Sequence, residues 1–142
     1  MSVALVLNGA LILTLIGGLL QAPSIPMRTL DRGAESQLDE SQQVAVRTAA
    51  EWGTLWLRHA GERERPAVDF AREMVVGVFL GSRPTAGFSI EIVRAREDGQ
   101  TLVVEYRETR ARPGAVAAQV LTSPYHIVAV PTNRDVRFER VP

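Results

Sequence analysis

The sequence predicts an α+β domain of mostly antiparallel β structure, a small sandwich or curled sheet of about six or seven strands with one packed helix, behind an apolar amino-terminal segment. Met74 to Leu80 is apolar at almost every position, as in a strand covered on both faces, whereas Phe88, Ile90 and Ile92 alternate with Ser89, Glu91 and Val93 at the period of a half-buried strand. Trp52, Leu55, Trp56 and His59 recur at spacings of three and four, the period of an amphipathic helix. Asp98-Gly99, between two such strands, is a strong hairpin signal.

Taken in order, Val3 to Leu20 is uncharged and nearly all apolar. Its length sits between that of a secretory signal and that of a membrane span, so residues 1–22 are read as either a cleaved signal peptide or a retained anchor. Pro23, Pro26 and the polar run Asp31 to Gln43 make residues 23–43 a flexible tether, because so few apolar residues cannot offset the entropy of ordering. The folded domain is then 44–142. Val44 to Val46 is a short first strand. Thr48-Ala-Ala-Glu51 has the form of a capping box, with Thr48 accepting from the Glu51 amide and the Glu51 carboxylate reaching back to the Thr48 amide. The helix begins at Ala49 and stops at Gly61, and its two indoles are core anchors between helix and sheet. Asp69 caps a small turn before the strand Met74 to Leu80.

The corner Gly81 to Gly87 follows, read as the bend between two paired strands. Phe88 to Ala95 and Thr101 to Arg110 flank the Asp-Gly turn as an antiparallel pair, with Leu102, Val104 and Tyr106 facing the core and Val103, Glu105 and Arg107 facing away. Arg112-Pro113-Gly114 turns the chain into Ala115 to Leu121, a further strand or an extended crossing, which Thr122-Ser123-Pro124 ends. Tyr125 to Val130 is another strand. Val136 to Val141, carrying Arg137, Glu139 and Arg140, reads as an edge strand protected by charge.

Composition removes several functions. With 16 basic and 16 acidic residues the formal net charge is zero, and nothing in that balance attracts nucleic acid; a membrane enters only through the amino-terminal segment. Cysteine is absent, which excludes disulfides, thiol nucleophiles, cysteine-ligated metals and lipid attachment through a cysteine. His59 and His126 have no histidine neighbour at ligand spacing, and no cofactor or metal is expected. Ser123, His126 and Asp135 could be assembled into a hydrolase triad, but no nucleophile elbow or oxyanion-hole glycines surround Ser123. No catalytic residue is assigned.

Val68-Asp69-Phe70, Met74 to Gly81, Arg83-Pro84-Thr85-Ala86-Gly87-Phe88 and Leu121-Thr122-Ser123-Pro124-Tyr125-His126 together resemble the carboxy-terminal domain of PrcB-type protease-complex subunits. The resemblance runs from about Ala50 to Val130 and includes the tryptophan-bearing helix. It implies an accessory, non-enzymatic role, assembling with or stabilising another protein, a protease first among them, in the cell envelope. Lipoprotein members attach through a cysteine, which this chain lacks. The segment Arg83 to Phe88 also resembles, as a single short motif, the loop that chagasin-type inhibitors insert into papain-like proteases.

Pro84 fixes its own φ and restricts Arg83, and Gly81 and Gly87 can take angles closed to other residues, so the loop should hold one shape and lose little entropy on binding. Arg83, Pro84, Thr85, Ala86, Gly87 and Phe88 are therefore the candidate partner-binding residues. The expectation is a non-enzymatic protein-binding module, secreted or tethered in the envelope. The alternatives are a peptidase inhibitor acting through the same loop and a hydrolase.

Overall fold

A computed structural model describes residues 23–142; the signal-or-anchor segment 1–22 lies outside the described residues. Eight strands and one helix follow in the order β1 (Ser24–Ile25), β2 (Arg28–Gly33), β3 (Gln42–Val46), α1 (Ala49–Ala60), β4 (Met74–Phe79), β5 (Ser89–Asp98), β6 (Thr101–Thr109), β7 (Tyr125–Val130) and β8 (Asp135–Arg140). They form two four-stranded sheets, ordered β1-β5-β6-β8 and β2-β7-β4-β3. All pairings are antiparallel except β6 with β8, which run parallel.

The fold is a sandwich that also carries a helix on its outer side. Met74, Val76, Val78, Val128 and Val130 from the second sheet meet Ile90, Ile92, Ala95, Leu102 and Val104 from the first, forming the inter-sheet core. The opposite faces of β4 and β7, with Val75, Phe79, Tyr125 and Ile127, take Trp52, Leu55 and Trp56 of α1. Every residue of β4 and β7 is consequently buried, which is why Met74 to Phe79 carries no polar side.

The helix starts as its residues dictate, though its cap is wired differently. The Thr48 hydroxyl accepts from the Glu51 amide at 3.1 Å, but the Glu51 carboxylate accepts from the Arg47 amide at 3.0 Å, one residue before the expected partner. Gly61, at φ 61°, returns its N–H to Leu57 O and ends the helix. The indoles of Trp52 and Trp56 donate to Pro66 O and Arg63 O at 3.0 and 2.7 Å, stitching the charged loop 62–66 to the helix.

Two expectations are corrected. Residues 23–43 are not a tether: β1 pairs with β5 and β2 with β7. Their few apolar side chains are well placed, Ile25 and Met27 against the inter-sheet core and Leu30 against the helix-side core, and Arg28 forms an ion pair with Glu73 at 2.9 Å. The corner Gly81 to Gly87 does not join paired strands, because β4 and β5 belong to different sheets; it carries the chain across the sandwich. Val103 is fully buried with Leu102 and Val104 although it points away from the inter-sheet core. Around it the outer face of the first sheet is a lattice of ion pairs, including Arg94 to Glu105 at 2.6 Å and Arg96 to Glu139 at 3.4 Å, whose long side chains cover apolar surface.

Candidate protein-contact site

The loop Arg83 to Phe88 is fixed at both ends. Gly81 has φ 81°, and a Cβ there would fall 2.7 Å from the Ser41 amide nitrogen and 2.8 Å from Asp39 O. Gly87 has φ 95°, and a Cβ there would fall 2.7 Å from the Ala111 Cβ. Both positions require glycine for conformation and for space. Between them Ser82 donates its N–H to Asp39 O and its hydroxyl to the Asp39 carboxylate, each at 2.9 Å.

The loop also has a companion. Arg83 exchanges both backbone hydrogen bonds with Thr122, at 2.7 and 2.9 Å, Ala86 donates to Ala118 O at 2.9 Å, and the Thr122 hydroxyl donates to Thr85 O at 3.0 Å. Residues 115–121, which make no regular strand, therefore lie along the loop as an extended crossing. Pro84 and Gly87 are exposed, Arg83, Thr85, Ala86 and Phe88 half-buried, and the Arg83 guanidinium sits 5.9 Å from the Phe88 ring centre. On the crossing Val116 is fully exposed, Leu121 is 75 % exposed and Val120 53 % exposed. Large apolar side chains exposed on a segment held by backbone hydrogen bonds suit a protein contact. Sequence reasoning missed Val116, Val120 and Leu121; the signal was the apolar run Ala115 to Leu121, whose lack of alternation gives it no inward face.

The two histidines lie elsewhere and are structural. His126 accepts the Ile92 amide on Nδ1 at 2.9 Å and bonds the Thr29 hydroxyl through Nε2 at 2.9 Å. Burial, reinforced by nearby Arg32, pushes its pKa down to about 4. His59 is buried, with Nε2 2.9 Å from the Asp31 carboxylate and Nδ1 2.8 Å from the Ser36 hydroxyl. Burial lowers its pKa against the pull of Asp31. Burial acts to raise Asp31, but hydrogen bonds from His59, Arg63 and Tyr125 outweigh it and hold the carboxyl below its usual range. Tyr125 is pushed up to about 12, first by burial and then by Asp31.

This Ser36, His59, Asp31 chain was not foreseen and has the element order of a hydrolytic triad, but the Ser36 Oγ is buried and already takes the Leu38 amide at 3.1 Å. Of the residues Ser123, His126 and Asp135, Ser123 donates to Leu38 O at 2.7 Å and both His126 nitrogens are engaged, so the structure does not bring them together as a triad. Among the described residues no group of three or more acidic or histidine side chains could hold a metal ion. Asp69 caps its turn, accepting the Ala71 amide at 3.1 Å.

Residues 74–131 match the family model described as PrcB C-terminal. The PrcB C-terminal match runs from the start of β4 to just past β7 and takes in the whole of the loop and its crossing. It covers the blocks from Met74 onward on which the sequence resemblance rests, while α1 and Val68 to Phe70 lie before it. No curated protein and no solved structure matches the chain.

Proposed function

We propose that this chain is a non-enzymatic accessory subunit that binds a protein partner, a protease or a member of a protease complex, through the surface built by Arg83 to Phe88 and Ala115 to Leu121. The observation that carries the reading is the coincidence of the exposed Val116, Val120 and Leu121 with the stiff loop, inside the residues that match the PrcB C-terminal model. A loop already shaped and hydrogen-bonded binds at low entropic cost, and the apolar side chains beside it supply area to bury. Export, with the chain secreted or held in the envelope by residues 1–22, is part of the proposal and rests on the apolar run of that segment.

The inhibitor reading is weaker on one specific ground. Entry into a protease cleft needs a loop that projects alone, whereas one flank of this loop is occupied by Thr122 and Ala118. The test is capture of the full chain from its native envelope, with identification of what accompanies it, alongside a variant carrying Val116→Asp and Leu121→Asp. Loss of the partner with unchanged thermal stability supports the proposal; an undiminished yield of partner on the variant overturns the assigned surface. Titration against papain and subtilisin, with inhibition abolished by Thr85 and Ala86 substitutions, would establish the inhibitor instead.

A further inference from the structure

Four strands lie at sheet edges, and three are defended against strand addition. β1 is two residues long between Pro23 and Pro26, β2 carries Arg28, Asp31, Arg32 and a register shift, and β8 carries Asp135, Arg137, Glu139 and Arg140. The fourth, β3, reads Gln-Gln-Val-Ala-Val; it has no charge, proline or bulge and pairs in unbroken register with β4. Among the described residues nothing pairs on its other side. There a groove opens between the strand and α1, lined by Gln42, Val44 and Val46 of the strand and by Glu51, Leu55 and Arg58 of the helix. Leu57, 63 % exposed, stands on the helix beside Ala50 and Thr54.

We propose that a second copy of this chain occupies this face, β3 pairing antiparallel with β3 of the partner subunit about a two-fold axis perpendicular to the sheet. The pairing extends the four-stranded sheet to a continuous one across both copies and sets the two α1 helices side by side on the same face. The order of charges on this face favours self-association. Glu51 and Arg58 lie about 10 Å apart along the helix, and an antiparallel two-fold brings each Glu51 toward Arg58 of the partner subunit. The same reversal sets the acidic flank Asp39-Glu40 that precedes β3 toward Arg47 of the partner subunit, which follows it. The exposed Leu57 meets the groove between β3 and α1 of the partner subunit. A strand pair of this length buries well under the ~1,000 Å² of a stable interface, so the helix contact is a necessary part of it.

The chain has no cysteine, so single cysteines report proximity cleanly. In detergent sufficient to disperse its apolar segment, the full-length chain is expected to sediment at twice its 15.5 kDa mass. Gln43→Cys, at an exposed position on β3, should cross-link between copies under mild oxidation, and Arg137→Cys, exposed on β8, should not. Arg58→Glu should weaken association about tenfold by placing like charges across the axis, and Leu57→Asp should abolish it. Both replace exposed side chains, so melting of the separated chain should be nearly unchanged. A monomer at the highest attainable concentration, a dimer whose two cysteine variants cross-link equally, or one indifferent to Arg58→Glu and Leu57→Asp would each overturn the proposal. Coverage of β3 by residues 1–22 would show as a protected Gln43→Cys in a monomer and would overturn it too.

Discussion

The Nδ1 of His126 accepts the backbone N–H of Ile92 at 2.9 Å, a buried hydrogen bond that passes from one sheet to the other. It occurs where β5 departs from regular pairing: Ile92 stands opposite Tyr106 and Arg94 opposite Glu105, leaving Val93 as the extra residue of a bulge. Replacing His126 with Leu would strand that amide and the Thr29 hydroxyl, at an expected cost of about 1–3 kcal/mol in urea unfolding. His126→Gln, which can still accept, should recover part of the loss. Equal losses for both variants would assign the effect to ring packing.

Stability should depend on acid through the same side chain. The folded pKa of His126 is about 4 against an ordinary 6.5, and that of His59 is lowered too, so between those values the unfolded chain binds more protons. The contribution is complete above about pH 6.5 and is lost as pH falls through about 4, amounting for His126 to about 3 kcal/mol. Melting temperatures over that range should fall steeply for the native chain and less steeply for His126→Gln. A flat profile in the native chain would contradict the assignment.

Gly81 and Gly99 offer a matched comparison. Both have positive φ, but a Cβ at Gly81 meets backbone that cannot yield, whereas at Gly99 it meets nothing within 4 Å. Gly99→Ala should cost about 1 kcal/mol, the conformational penalty alone. Gly81→Ala should cost about 3 kcal/mol, because Asp39 and Ser41 must move as well. Similar unfolding midpoints for the two variants would remove the steric argument for a stiff loop.

Asp31 ties the early part of the chain to the helix, holding His59 at 2.9 Å and Arg63 at 2.8 Å. Asp31→Ala should cost about 2 kcal/mol by leaving the His59 N–H unpaired and buried. The loss should be local, so limited trypsin digestion should cut after Arg28 and Arg32 well before global unfolding. Unchanged protection of those bonds would show that β2 is held by its ladder with β7 alone.

Much of the second half of the fold could be read from the residues. β4 was legible because layers on both faces demand an unbroken apolar run, β7 because it lies between the breaks at Pro124 and Pro131, and the Asp98-Gly99 turn set the β5-β6 pairing by local geometry. β1 and β2 were illegible for the opposite reason: edge strands held by backbone ladders and ion pairs need few apolar residues, and their polar sequence matches that of an unstructured linker. Sheet membership was hidden as well, since a glycine-proline bend looks alike whether it joins neighbours or crosses a sandwich. Of the candidate surface, the stiff half was visible in Pro84, Gly81 and Gly87. The apolar half was not, because the crossing that carries Val116, Val120 and Leu121 is tied to the loop by long-range bonds from Arg83 to Thr122 and from Ala86 to Ala118.

Because β1 begins at Ser24 and locks Ile25 opposite Ala95, hardly any slack separates the first sheet from whatever precedes it. From Leu20 to Ser24 the chain spans at most about 14 Å. Were the preceding apolar stretch kept in a bilayer, the domain would be moored with its β1 edge against the lipid headgroups and unable to reorient freely, so the partners it could meet would be those lying at the same depth.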